Sequence, residues 1–477
     1  MEFDLSKRHC YYFNEIAKIP RGSRNEKAIS DYICAFAEAH GLPYRQDEVY
    51  NVTIDKPASP GYENSAPVIL QAHIDMVCEK NSDVEHDFEK DPLDLYVEDG
   101  WLKARGTTLG ADDGDGVAYM LAILEDETAE HPPLECIFTT MEEIGLIGSQ
   151  HLRKEDLHGH RCISLDGSGL CSTTVSSAGS AVAVISAKPD FRTANLPEYV
   201  LRIRGLEGGH SGSKIDRELG NANILAGRIL REAELAGLDI TLSHLTGGNK
   251  ENAIPREADF AFVSASDPAA LKAAVFAAIG DIKRELAESD PGFSAELTEG
   301  DGCGKCMDSS ASKSLLNFLF LMPHGFLHKS MSIPGLTTAS LNLGVIRTDD
   351  TAVKLQIMAR SALDSHLNLI RNQLKVLAEL TGLDADLPEG YPGWPYDAHS
   401  ELRAVYRRVL EKHGLVLSEN ATHGGLECGV IKGLDPDMDI ITFGPVYEDI
   451  HSPSERLDLQ SFDEAFVILK EILKECR

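Results

Sequence analysis

His73 and Asp75 stand two positions apart in Val68-Ile69-Leu70-Gln71-Ala72-His73-Ile74-Asp75-Met76-Val77, an otherwise β-branched and apolar run. Side chains alternate in face along a strand, so this spacing puts an imidazole and a carboxylate on one face, about 6–7 Å apart. Burying two such groups is costly unless each is hydrogen-bonded, paired or coordinated. Metal ligation meets that requirement. His73 binds through one ring nitrogen, and Asp75 curls back to steady the other nitrogen or a bound water. A hydrogen-bonded His–Asp pair in the core is the competing reading of this motif taken alone.

Further groups of the same chemistry recur along the chain. Asp112 lies in the glycine-rich loop Thr107–Gly116, Glu142 and Glu143 follow an apolar run ending at Thr140, and Asp166 closes Arg161–Asp166. His451 sits in Gly444–Arg456. In open α/β sheets, ligands gather beyond the carboxyl ends of the strands. Two imidazoles and three carboxylates suffice for two divalent cations, with one carboxylate bridging. The mixed nitrogen and oxygen set suits zinc, and also manganese or cobalt. In the Glu142-Glu143 pair, one member can ligate while its neighbour stays free as a base.

The elements that must carry these groups can be read from periodicity and punctuation. Residues 5–18 and 25–40 read as amphipathic helices. Residues 49–54, 68–77, 101–106, 133–140 and 161–166 read as strands, with a helix over 117–124. Strand–helix alternation of this kind predicts an α/β sheet with helices on both faces. From about residue 183 the texture changes. Strands at 199–203, 259–263 and 353–358 flank long helical runs at 215–236, 268–285 and 366–380, which predicts an α+β insert. Pro388, Pro392 and Pro395, with Gly390 and Gly393, punctuate the return. Helices over 400–412 and 461–474 follow, the latter with Ser461 and Glu464 as a capping box.

The 477 residues carry a formal charge of −31. Nucleic acid and anionic membrane both need a basic footprint, so neither is an expected partner. No N-terminal signal segment and no run long enough to span a bilayer is expected. The ten cysteines show no disulfide framework and read as reduced thiols of a cytoplasmic protein. Cys303 and Cys306 form an isolated CxxC, for which a zinc ribbon or redox role is disfavoured.

The ordered set of motifs resembles the M20-type metallopeptidases, and most of all their aminoacyl-histidine dipeptidase branch. The matching stretches are Gln71–Val77, Arg105–Asp112, Met141–Gly145, Leu165-Asp166, Gly205–Gly212 around His210, Gly248–Pro255, Gly425–Gly429 and His451–Pro453. The resemblance implies a zinc-peptidase three-layer α/β catalytic domain over 1–182 and 389–477, interrupted by an α+β lid and dimerisation domain over 183–388. It implies that His73 and Asp166 bind one metal, Glu143 and His451 the other, and that Asp112 bridges. Asp75 is then the partner of His73, Glu142 the general base and acid, and His210 a stabiliser of the tetrahedral intermediate. Asn252, Arg360 and Glu427 become substrate-binding candidates, Arg360 by forked hydrogen bonding to a terminal carboxylate. Asp113, Asp115 and Gly167-Ser168-Gly169 depart from the branch's usual Asn, Ile and Ser-Glu-Glu.

The expected activity is di-metal hydrolysis of dipeptides, Xaa-His or broader, with a metal-bridged water as nucleophile, in a homodimer formed through the lid. The alternatives are a tripeptide-cleaving aminopeptidase, an N-acyl amino acid amidohydrolase, or a non-catalytic dimeric binding protein. The absence of a Gly-x-Ser-x-Gly elbow, a Walker loop or a Rossmann glycine pattern disfavours other enzyme classes.

Overall fold

A computed structural model describes residues 2–300, 302 and 305–477. Cys303 lies outside the described residues, and Cys306 is buried. The chain divides into two compact units. Residues 1–176, 394–421 and 426–477 form the first; residues 177–393 and 422–425 form the second. Among the described residues, no helix is long and apolar enough to cross a membrane.

The first unit is built on a six-stranded sheet in the order Tyr44–Gln46, Val52–Lys56, Leu134–Thr139, Val68–His73, Arg161–Ser164, Asp439–Thr442. The last four strands run parallel and the first two join antiparallel. Every residue of Val68–His73 is buried, as a strand covered on both faces requires. Val68, Leu70 and Ala72 enter a large core with Phe13, Tyr119 and Phe462, under helices Arg8–Ile16, Ala111–Glu125 and Leu459–Glu475. Ile69 points the other way, against Cys428 and Ile431 of the short helix Glu427–Leu434. Alternation therefore puts Gln71 and His73 on that thinner side. The expected three-layer α/β arrangement is the one observed.

The second unit is an antiparallel sheet of nine strands among the described residues, with Thr337–Thr348, Val353–Ser361 and Gly179–Ala187 adjacent in it. Helices Ala222–Leu235, Pro268–Glu285, Ser309–Leu321 and Asp364–Thr381 supply its core, together with the inward side chains of the strands. This is the α+β insert the texture change indicates.

Six details differ from the sequence reading. The strand expected over 68–77 stops at His73, so Asp75 lies just beyond it. The helix expected to begin at 117 extends back to Ala111, although Asp112 and Asp113 are not helical. Helix Leu459–Glu475 is capped by Asp458, whose carboxylate accepts from the Ser461 amide; Ser461 instead uses its hydroxyl to accept from Val446. The seam expected at 182/183 falls inside strand Gly179–Ala187, whose pairing with Val353–Ser361 assigns all of it to the second unit. The expected return at 389 comes at Trp394, because Tyr391 still pairs with Ser180. Periodicity also merged a 3₁₀ turn at Ile215–Arg217 with the helix that Asn221 caps.

Candidate active site

His73 is the last residue of its strand, and its two nitrogens face different partners. Nε2 lies 3.0 Å from Asp112 Oδ1, and Nδ1 lies 3.2 Å from the Asp75 carbonyl oxygen and 3.5 Å from Asp75 Oδ1. Asp75 is fully buried and serves more than the imidazole. Its carboxylate accepts from the Ser23 hydroxyl at 2.8 Å and from the amides of Glu142 and Glu143 at 3.0 and 3.3 Å. One carboxylate thus fixes the end of one strand to the turn after its parallel neighbour. That turn is sharp: Met141 takes a φ of 51°, and Glu26 accepts the Met141 amide. From the far side, His451 Nε2 lies 3.0 Å from Glu143 Oε1 and 3.4 Å from Asp112 Oδ2. Asp112 therefore stands between two imidazoles, one oxygen toward each.

Three sets of side chains bring ligand atoms within 4.8 Å of one another: His73, Asp112 and Asp166; Asp112, Glu143 and His451; and His73, Glu142 and Glu143. Among the described residues, no Lys or Arg pairs with Asp112, Glu142, Glu143 or Asp166; their only ionic partners are the two histidines. Converging nitrogen and oxygen donors without a fixed cation fit two divalent metal ions.

Burial and mutual charge shape the titration of the site. Burial alone raises the Asp112 carboxyl, but its hydrogen bonds to His451 and His73 outweigh burial and hold it well below the usual range. Burial disfavours protonated His73, yet its bonds to Asp112 and Asp75 lift it well above an ordinary imidazole. Asp112 and Glu143 push His451 up to about 10. Burial, reinforced by the Asp112 charge, raises Asp166 to about 7. Desolvation also raises Glu142 well above a free glutamate, against the pull of His73. Such perturbed carboxyls gather where chemistry or cations are expected.

The family comparison agrees with this geometry. The model for peptidase family M20/M25/M40 matches residues 69–475. The chain belongs to that peptidase family. Among the relatives of this M20 peptidase is the cytosol non-specific dipeptidase of Escherichia coli K12, 36% identical over 470 residues, which span 97% of this chain and 96% of that one. The crystal structure of aminoacylhistidine dipeptidase from Vibrio alginolyticus superposes with a TM-score of 0.89 at 34% identity, covering 98% and 96% of the two chains. Aminopeptidase PepT from Bacillus cereus shares the fold, with a TM-score of 0.57 at 16% identity over the full length of both chains. The M20 peptidase is thus a peptide-bond hydrolase.

The remaining predicted residues divide between the units. In the second unit, His210 and Asn252 are neighbours. Strand Gly209–His210 pairs with Ala253–Ile254, and the Ser211 amide donates to the Asn252 carbonyl oxygen at 2.9 Å. Arg360 is buried, lies opposite both Ser180 and Ser340 in adjoining strands, and donates to Ser211 Oγ at 3.5 Å. His423, missed in the sequence, joins this group through a 2.7 Å contact of Nε2 with Ser340 Oγ. Burial, aided by the Arg360 charge, pushes His423 down to about 3.

Glu427 belongs to the first unit, and the structure changes its expected part. Only 1% of it is exposed, and its Oε2 accepts from Gln71 at 2.5 Å and Thr139 at 2.6 Å. It braces the strands that end in His73 and Thr139 and presents no open face to a substrate. Arg21 was also missed. Buried in the first unit, it donates to the carbonyl oxygens of Ile74 at 3.1 Å, Asp75 at 3.0 Å and Gly110 at 2.5 Å. No motif announces Arg21, because it acts on backbone oxygens of loops distant in sequence.

Proposed function

We propose that this M20 peptidase is a di-metal dipeptidase. The observation that carries the reading is the placement of Asp112 between the imidazoles of His73 and His451, with Glu142 beside them and engaged in no side-chain hydrogen bond among the described residues. His73 and Asp166 would hold one cation, Glu143 and His451 the other, and Asp112 both. Zinc fits this set first, and manganese or cobalt next. Cations held by these residues would supply Lewis acidity and would acidify a water.

The chain's own groups do the rest. Asp75 fixes the orientation and tautomer of His73. Glu142 accepts a proton from the attacking water at its free carboxylate and returns it to the departing amine. Arg360, a buried guanidinium with no carboxylate partner among the described residues, suits the terminal carboxylate of a short peptide by a two-pronged hydrogen bond. His210 and Asn252 supply further polar contacts, His210 to the developing oxyanion. The name of the Escherichia coli relative supports dipeptides as substrates and a cytoplasmic setting. The second unit is the candidate homodimer surface.

Metal analysis combined with a panel of dipeptides, tripeptides and N-acyl amino acids tests the reading. Two cations per chain and chelator-sensitive turnover fastest on dipeptides are expected. Faster turnover of tripeptides or N-acyl amino acids would replace this substrate class with one of the alternatives.

A further inference from the structure

The loop that delivers Asp112 is held from a distance. Glu455 is only 2% exposed, and its carboxylate faces four consecutive amides. Oε2 accepts from Leu109 at 2.8 Å and Gly110 at 3.0 Å; Oε1 accepts from Ala111 at 2.8 Å and lies 3.5 Å from the Asp112 amide. These amides lie in the stretch leading into helix Ala111–Glu125, where Gly110 is in the left-handed region with a φ of 67° and the non-helical Asp112 and Asp113 interrupt the first turn. Buried amides outside a regular element need a partner from elsewhere, and a carboxylate is a strong acceptor for them. Here that acceptor comes from more than three hundred residues away.

Glu455 is also four residues from His451, in a loop closed by a Glu455 amide to Ser452 carbonyl bond and by the Ser452 hydroxyl to the Asp449 carbonyl oxygen. The His451 imidazole and the Glu455 carboxylate therefore leave one tight loop and reach the same segment. One meets the Asp112 side chain, the other the backbone that presents it. Arg21 donates to the Gly110 carbonyl oxygen and to that of Ile74, just after His73. A four-amide grip beside a ligand candidate does more than cap.

We infer that Glu455 is a positioning residue that sets the separation of Asp112 from His451, and so the cation affinity of the site, through its grip on the Leu109–Asp112 amides. The inference rests on the assignment of Asp112 and His451 as ligands. Glu455 itself touches neither cation nor substrate. Glu455→Gln keeps the shape but turns an NH₂ toward amide donors. Glu455→Asp keeps the charge but is one methylene short.

Cation dissociation constants measured by competition with a chromogenic chelator, and the visible spectrum of the cobalt-substituted protein, give readouts that do not depend on turnover. E455Q is expected to weaken binding of the more loosely held cation roughly 10–100-fold, as loss of an outer support does, with E455D between it and the native chain and the cobalt bands shifted in both. Unchanged affinities and spectra, even with a lowered melting temperature, would reduce Glu455 to a cap and overturn the inference. Should E455Q fail to fold, E455D and hydrogen exchange of residues 107–116 in the native chelated protein decide the matter. Fast, unprotected exchange of those amides would overturn it. Asp112→Asn and His451→Ala run alongside as controls. If they lose cations while the Glu455 variants do not, only this inference fails; if they too keep full occupancy, the ligand assignment fails first.

Discussion

At the scale of single residues, the two adjacent glutamates have different surroundings. Glu143 Oε1 meets His451 at 3.0 Å, whereas the Glu142 carboxylate has no bonded partner among the described residues. Both backbones hang from Asp75. Glu142→Gln should therefore leave the metal content at two per chain while lowering kcat on the order of 10²–10⁴-fold, the usual worth of a positioned acid–base group. Glu143→Gln should lower the metal content itself. Elemental analysis and steady-state kinetics on the two purified variants separate the roles. Near-native turnover by E142Q would remove it from proton transfer.

At the scale of elements, what was legible in the sequence followed from short-range rules. The buried strand around Leu70 announced itself as an apolar run, and the carboxylates and imidazoles stood out because strand ends concentrate ligands. The helix expected over 400–412 is found at Glu401–Lys412, with Ser400 as its cap. What was not legible depends on partners far apart in the chain. Asp458 rather than Ser461 caps the last helix because the Ser461 hydroxyl is claimed by Val446. Arg21, Glu455 and His423 carry no local signature, since each acts on segments brought together only by folding.

Glu427 shows the energetic side of such long-range bracing. It opens the helix covering the Ile69 face, and burial raises its carboxyl from an ordinary 4.5 to about 7. A carboxyl with a raised pKa in the folded state contributes stability that is fully present below about 4.5 and lost as the pH rises through about 7. The loss is on the order of 3 kcal/mol. Glu427→Gln keeps an oxygen for Gln71 and Thr139 and removes the titration. In chelator-treated protein, urea unfolding should show E427Q gaining on the native chain by about that amount between pH 4 and pH 8. Parallel pH profiles for the two proteins would show that Glu427 is not strained by its ionisation.

At the scale of the whole molecule, a formal charge of −31 is concentrated inside as well as outside. Asp112, Glu142, Glu143 and Asp166 crowd one end of the central sheet, and Asp113 and Asp115 are buried as well. Mutual repulsion of so many carboxylates opposes folding unless cations or protons offset it. Anything that binds the folded chain and not the unfolded one stabilises it by mass action, about 2.7 kcal/mol at a hundredfold excess over the dissociation constant. Chelation should therefore lower the melting temperature and abolish peptide hydrolysis together, and zinc, manganese or cobalt should restore both. The loss of order should be local. Hydrogen exchange should quicken over 141–143 and 449–453, where the other ligand loops lie, while the amides held by Glu455 and the second unit's strands Thr337–Thr348 and Val353–Ser361 stay protected, since no ligand candidate comes from those strands. Uniform loosening of both units on chelation would mean that the cations support the fold rather than one site. Activity and melting temperature untouched by a strong chelator would remove metal from the reaction.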